Sequence, residues 1–285
     1  MTRFAPSPSG LLHLGHAYSA LFAHETAKAS GGRFLLRIED IDQTRCRPEF
    51  ERALFDDLRW LGLRWEAPAW RQSPRTDIYQ DALATLRGRG LVYPCFCTRA
   101  SIQAEIAGST RAPHGPSGEL VYPGTCRELD PAEAKRRIDK GAPHAWRLAV
   151  DAAAAAAGDL HWYDVRAGWQ RCRATEFGDV VLARKDVPTS YHLAVTVDDA
   201  AQAVNLVTRG EDLFHASHVH RLLQAILDLP TPTYYHHNLI ATPDGQRLAK
   251  RNRSVSLKYY RERGETPSSI WAKLGLQVPT PHPAG

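Results

Sequence analysis

The sequence predicts an α/β fold: a Rossmann-type parallel sheet, split by a cysteine-bearing insertion and closed by a short helical segment at the carboxyl end. Three observations carry this. A strand, a turn-rich stretch, a helix and a second strand follow one another within residues 2–40. Strand patterning with charged carboxyl ends resumes at residues 191–212. Between them, three of the five cysteines crowd into residues 95–126, in a stretch rich in Gly and Pro.

Residues 2–4 allow only a very short strand before APSPSG, where Pro6 and Pro8 fix φ and Gly10 permits close backbone approach. The chain must turn sharply there. Over residues 14–28, Leu14, Ala17, Tyr18, Leu21, Phe22 and Ala27 suit a helix, which Ser30, Gly31 and Gly32 end. RFLLRIED, residues 33–40, reads as a buried strand. Strand, helix and strand imply a right-handed βαβ unit whose ligands lie beyond the carboxyl ends of the strands. Glu39, Asp40 and Asp42 fall at that edge, where Asp40 and Asp42, beside Arg37 and Arg45, read as structural ion pairs.

Helical periodicity returns at residues 48–61 and 77–88, separated by a connection rich in Trp, Pro and Arg at 65–75. Residues 91–93 resume a strand that closes the first half of the sheet. Within the insertion come a charged helix at 131–140, a strand signal in AWRLAV and a low-complexity helical run at 152–157. Strands then occupy 191–212 and a helix 213–227, and past Asn238 a basic loop leads to a helical tail. The expected organisation is therefore 1–94 for the first half of the catalytic sheet, 95–187 for the insertion, 188–240 for the second half and 241–285 for the loop and tail.

With 285 residues the chain can bury a substantial core, and a net charge of +5 permits a polyanionic partner without arguing for one. No basic-then-apolar leader opens the sequence, and no apolar run approaches the roughly 20 residues that span a bilayer. A cytoplasmic protein without membrane contact is expected. An odd, clustered set of cysteines suits a metal site in a reducing compartment better than a disulfide framework, with Cys46 and Cys172 as core thiols.

Two motifs carry chemistry. In HLGH, His13 and His16 open a helix from nearly the same face, where the free N–H groups and partial positive charge of a helix terminus attract phosphate. Gly15 leaves room for a flat base. In CFC and YPGTC, Cys95, Cys97 and Cys126 offer three thiolates, and either Tyr122 or His114 can complete a tetrahedral zinc shell. His215, His218, His220, His236 and His237 lack matching carboxylate or cysteine spacing and read as helix-face and loop residues.

RFAPSPSG before HLGH, RIED at the next strand end, VTRGED late in the chain and RLAKR beyond it occur in an order that resembles class I aminoacyl-tRNA synthetases of the glutamyl type. The resemblance covers nearly the whole chain. It implies the class I synthetase fold and ATP with Mg²⁺ as substrate. HLGH matches the family's HIGH signature, and RLAKR takes the place of its KMSKS loop, so His13, His16 and Lys250 correspond to its catalytic residues and, with Gly15, to its ATP contacts. Arg247, Ala249 and Arg251 depart from that loop, losing hydroxyls but keeping positive charge, and activity should survive.

The resemblance further implies that L-glutamate is held by Arg3, Phe4, Ala5, Pro6 and Ser7, by Glu39, and by Tyr191 and Arg209. This is chemically coherent, because two arginines suit two carboxylates and Glu39 suits the ammonium. CxC before YxxxC resembles the short glutamyl-Q branch of the family, which implies one structural zinc on Cys95, Cys97, Tyr122 and Cys126. That branch transfers glutamate from its adenylate to queuosine in the anticodon loop of tRNA(Asp). Only about 30 residues follow Arg251, too few for an anticodon-binding domain, which agrees with that acceptor. The alternatives are a truncated synthetase charging the 3′ end of tRNA(Glu) and a catalytically silent RNA-binding paralogue.

Overall fold

The computed structural model of the chain describes residues 1–107, 115, 116, 118, 121–240 and 255–276. Strand β1 (Thr2–Phe4) pairs parallel with β2 (Phe34–Ile38), and α1 (Leu14–Ala29) makes the crossover between them. Ala17, Ala20, Ala23 and Ala27 are buried in α1, and such small side chains let the helix lie close on the sheet, where Thr2 Oγ1 donates to the Ala23 carbonyl at 2.8 Å. Gly31, at φ +59°, takes the left-handed turn that ends the helix. Next come α2 (Pro48–Trp60), β3 (Glu66–Arg71) and α3 (Thr76–Gly88). The Trp-rich connection thus contains a strand, β3, which pairs parallel with β2.

Residues 92–184 supply β4 (Val92–Cys95), α4 (Arg99–Ala107), α5 (Pro131–Asp139), β5 (Ala145–Leu148), α6 (Val150–Ala157), β6 (His161–Asp164), β7 (Gly168–Arg171) and β8 (Val181–Arg184). The chain continues through α7 (Tyr191–Ala201), β9 (Leu206–Gly210), α8 (Ala216–Ile226), β10 (Thr233–His237), α9 (Leu257–Glu262) and α10 (Pro267–Leu274). Two sequence expectations are corrected here. The strand at 91–93 does not close the first half of the parallel sheet: β4 pairs antiparallel with β5, and β5 with β8, in a separate sheet. Within the stretch read as insertion, β6 pairs parallel with β10 and so belongs to the second half of the parallel sheet, with β7 antiparallel at its edge.

Residues 191–201 overturn a third expectation, because they form helix α7 and not a strand. Ser190 caps it, its Oγ accepting from Leu193 N–H at 3.4 Å, and every residue from Leu193 to Asp199 is buried. A helix buried all round has no polar stripe, so its Val- and Thr-rich run looks like a strand in sequence. Its buried acids are anchored by partners: Asp198 accepts from Arg75, Gln72 and Tyr79, and Asp199 from Arg3 and Arg37.

Strands β9 and β10 pair parallel from Leu206 and Thr233 to Gly210 and His237. Leu206 N–H donates to the Met1 carbonyl at 3.2 Å, which sets β9 beside β1. The strands then run β3-β2-β1-β9-β10-β6-β7, and the chain order switches between β1 and β9. Ligands of such sheets bind at the carboxyl ends of the strands flanking that switch. Among the described residues no helix is long and apolar enough to cross a membrane.

Candidate active site

A cavity of about 410 Å³ opens at this switch, lined by Phe4 and Ala5 at the end of β1, Arg209 and Gly210 at the end of β9 and His237 at the end of β10. Of the other predicted residues, His13, Gly15, His16, Arg3, Glu39 and Tyr191 also line it. Ser7 lines a neighbouring cavity, and Pro6 serves through its backbone, its carbonyl accepting from Glu39 N–H at 3.0 Å. Lys250, Arg247, Ala249 and Arg251 lie outside the described residues, as does His114.

His13 and His16 build the start of α1 themselves. His13 is the N-cap, its Nδ1 accepting from Gly15 N–H at 3.1 Å, while His16 Nδ1 accepts from His13 N–H at 3.2 Å. Two N–H groups expected to meet phosphate are therefore spent on imidazole, and the ring centroids lie 3.9 Å apart. Because each Nδ1 accepts, the proton of each neutral ring sits on Nε2. Both rings enter the cavity wall as hydrogen-bond donors.

The two predicted arginines differ. Arg3 gives Nε and Nη2 to Asp199 at 3.0 and 3.3 Å and Nη1 to the Thr208 carbonyl at 3.1 Å. Its charge is already paired. Arg209, which is only 6 % exposed, meets neutral groups: His236, Tyr191, His220 and Ser217. Among the described residues no carboxylate pairs with it, so its charge is available to a bound anion.

Burial pushes Glu39 up to about 7, against the opposing pull of Arg37 and Arg3. Burial alone would also raise Asp199, yet Arg3 and Arg37 hold it below the usual carboxylate range. Asp40 caps the turn before α3 through Gln72 N–H, Ser73 N–H and Ser73 Oγ. Asp42 pairs with Arg45 at 2.6 Å, as expected of a structural pair, whereas Arg37 turns instead to Asp199 at 2.8 Å and Glu39 at 3.5 Å. Sequence reasoning missed Tyr18, Thr208, Gly210, Asp212 and His237, which also line the cavity. The position of Gly210 and Asp212 just past a charged strand end was the available signal.

Cys95, Cys97 and Cys126 bring their sulfurs within 4.8 Å of one another. Tyr122 Oη lies 3.3 Å from Cys95 Sγ and 3.6 Å from Cys97 Sγ, and Cys97 and Cys126 Sγ are 3.5 Å apart. Tetrahedral zinc with bonds of about 2.3 Å holds sulfurs about 3.8 Å apart, so these four donors fit it. Cys126 N–H donates to Tyr122 Oη at 2.8 Å, and Phe96 N–H to Cys126 Sγ at 3.4 Å, bonds that favour the anionic donors a metal needs. The buried cluster borders a second cavity, of about 1170 Å³, that shares Glu39 and Tyr191 with the first.

Residues 1–283 match the family described as tRNA synthetases class I (E and Q), catalytic domain. The chain belongs to that family. This synthetase is 50% identical over 282 residues to the glutamyl-Q tRNA(Asp) synthetase of Rhodobacter capsulatus, covering 97% of this chain and 100% of that one. It is 44% identical to a second protein of that name, from Symbiobacterium thermophilum, over 95% of this chain and 84% of the relative. Its fold matches the glutamate tRNA ligase of Elizabethkingia meningosepticum, solved in complex with its amino acid, with a TM-score of 0.78 and 26% identity over 96% of this chain and 60% of that one. Membership makes it an enzyme of the aminoacyl-adenylate-forming, ligase type.

Proposed function

We propose that this synthetase activates L-glutamate with ATP and transfers it to queuosine in the anticodon loop of tRNA(Asp). One observation carries the reading: a single cavity at the sheet's switch point joins the two HLGH histidines, the buried Glu39 and an Arg209 that no carboxylate pairs with among the described residues. The two glutamyl-Q tRNA(Asp) synthetases named above, matched over 100% and 84% of their own length, favour the queuosine acceptor.

Glu39 accepts from the substrate ammonium, Arg209 and Tyr191 hold a carboxylate, and Arg3, braced by Asp199, shapes the wall with Phe4 and Ala5. The α-carboxylate oxygen attacks the α-phosphorus of ATP and pyrophosphate leaves. His13 and His16, donating from Nε2, stabilise the charge that builds on phosphate, and Lys250 joins them from the basic loop. A hydroxyl of the queuosine cyclopentenediol then attacks the adenylate's carbonyl carbon, losing its proton, and AMP leaves. Cys95, Cys97, Tyr122 and Cys126 would hold zinc, which would supply structure alone, because four protein ligands would leave no open position for chemistry.

The test is incubation with labelled glutamate, ATP and queuosine-containing tRNA. Label that survives removal of the 3′ adenosine, with queuosine heavier by one glutamyl group in mass analysis, is the expected result. Label lost with that adenosine instead assigns the chain to 3′ charging, and no glutamate-dependent ATP–pyrophosphate exchange defeats the enzyme reading itself.

A further inference from the structure

Of the histidines read from sequence as helix-face and loop residues, four are buried: His236 and His237 lie in β10, and His218 and His220 face inward from α8. Two of them grip Arg209. A guanidinium only donates, so His236 Nε2 must accept from Arg209 Nε at 3.1 Å, which leaves the proton of that ring on Nδ1. Asp164, at the end of the adjacent strand β6, accepts that proton at 2.7 Å and the His236 backbone N–H at 3.1 Å. Its other oxygen accepts from Arg166 and Ala167 N–H at 2.9 Å, so the carboxylate is itself fixed. By the same logic His220 Nδ1 accepts from Arg209 Nη1 at 3.2 Å and passes its own Nε2–H to His192 Nδ1 at 3.1 Å.

This arrangement orients a buried cation without cancelling it. Asp164 fixes the tautomer one ring removed, and among the described residues the guanidinium meets neutral groups: imidazoles, hydroxyls and the ring of Tyr234, whose centroid is 5.2 Å away. Burial holds His236 at about 4 and keeps His220 well below the ordinary histidine range, so at neutral pH both accept without adding charge. A carboxylate locked by a rigid guanidinium is a poor nucleophile, so a cation held this way suits the carboxylate of glutamate that does not react.

We propose that Asp164 and His236 are positioning residues that hold Arg209 as an oriented, unneutralised cation and thereby set the preference for the side-chain carboxylate of glutamate over the amide of glutamine. The inference rests on Arg209 being the partner of that carboxylate. Replacing Asp164 by Asn presents an amide N–H to His236 or to the turn; in the first case the ring must donate toward Arg209, where an acceptor is needed, as an Asp-to-Asn change does in catalytic triads.

Glutamate-dependent ATP–pyrophosphate exchange on the full chain, with and without tRNA, provides the test. Asp164→Asn and His236→Asn should raise the KM for glutamate on the order of tenfold to a hundredfold, the scale of a lost charge-assisted hydrogen bond, while the KM for ATP stays unchanged. Discrimination against glutamine should fall with it. His236→Gln, whose amide oxygen can reach the place of Nε2, should keep the wild-type KM, so the Asn and Gln variants separate positioning from packing even where Asp164→Asn folds poorly. His218→Ala removes the acceptor of the bonds from Trp162 Nε1 and Arg173 N–H in the same layer without touching Arg209 and should cost thermal stability alone. Equal glutamate KM values for His236→Asn and His236→Gln overturn the proposal. If Arg209→Gln also leaves that KM unchanged, the assignment of the carboxylate site fails instead.

Discussion

Glu39 shows how one side chain carries a conflict between folding and binding. Its carboxyl is 7 % exposed and sits 3.5 Å from Arg37, yet burial outweighs that attraction and raises it from the ordinary 4.5 to about 7. Since the folded value is the higher one, folding favours the protonated form: the contribution to stability is full below about 4.5 and is lost as pH rises through about 7. Binding asks for the opposite, because only the ionised form pairs with an ammonium. The KM for glutamate should therefore fall as pH rises through about 7, with proton release on binding measurable by calorimetry in buffers of different ionisation enthalpy. Glu39→Gln should bind glutamate poorly and lose that pH dependence while being no less stable than wild type at alkaline pH. A Gln variant that keeps the wild-type KM profile refutes the role. The type and place of this residue were legible from RIED, but its raised pKa arises from burial, opposed by Arg37 and Arg3, and both the burial and those neighbours exist only in the folded chain.

At the scale of elements, the tail helices close the first half of the sheet. Leu257 and Ile270 are fully buried against the core of α1 and α2, contributing roughly 1.5–3 kcal/mol each, and Leu257 N–H donates to the Leu12 carbonyl at 2.7 Å just before HLGH. One polar contact holds α9 to α2: Asp57, fully buried, lies 3.3 Å from Arg261 Nη2. Burial raises Asp57 to about 6 despite Arg261, so this group favours folding most strongly in acid and its contribution fades as pH rises through about 6. Arg261→Ala should cost about 1–3 kcal/mol in denaturant unfolding at neutral pH, since it strands a buried carboxylate. Adding Asp57→Asn should restore most of the loss. A double variant as unstable as the single one removes the pair from the account. Amphipathic α2 and α3 could be read from periodicity, whereas α7 could not, because burial on every side erased its pattern.

For the whole molecule, the antiparallel sheet β4-β5-β8 and the cysteine cluster form one wall of the wide cavity that meets the catalytic one at Glu39 and Tyr191. On the function proposed above, adenylate formation would belong to the first cavity and acceptor binding to the second. Metal analysis should find one zinc per chain, and Cys97→Ser should abolish it, lowering stability by up to the order of 10 kcal/mol for this segment. Transfer of glutamate to tRNA should then fail while glutamate-dependent pyrophosphate exchange keeps most of its rate. Loss of both activities in parallel argues against this division of labour.

Local sequence by itself determined the βαβ entry, the HLGH helix start and the cysteine cluster, because each depends on short spacings, while Arg3, Glu39, Tyr191 and Arg209 of the cavity wall were legible only through the family resemblance. Tertiary structure alone decided three things: that β4 leaves the parallel sheet while β6 enters it, that residues 191–201 coil into a helix, and that Asp164 and His236, 72 residues apart, meet behind Arg209. Strand partners and buried hydrogen-bond partners are chosen by packing between distant segments, and no local pattern records that choice.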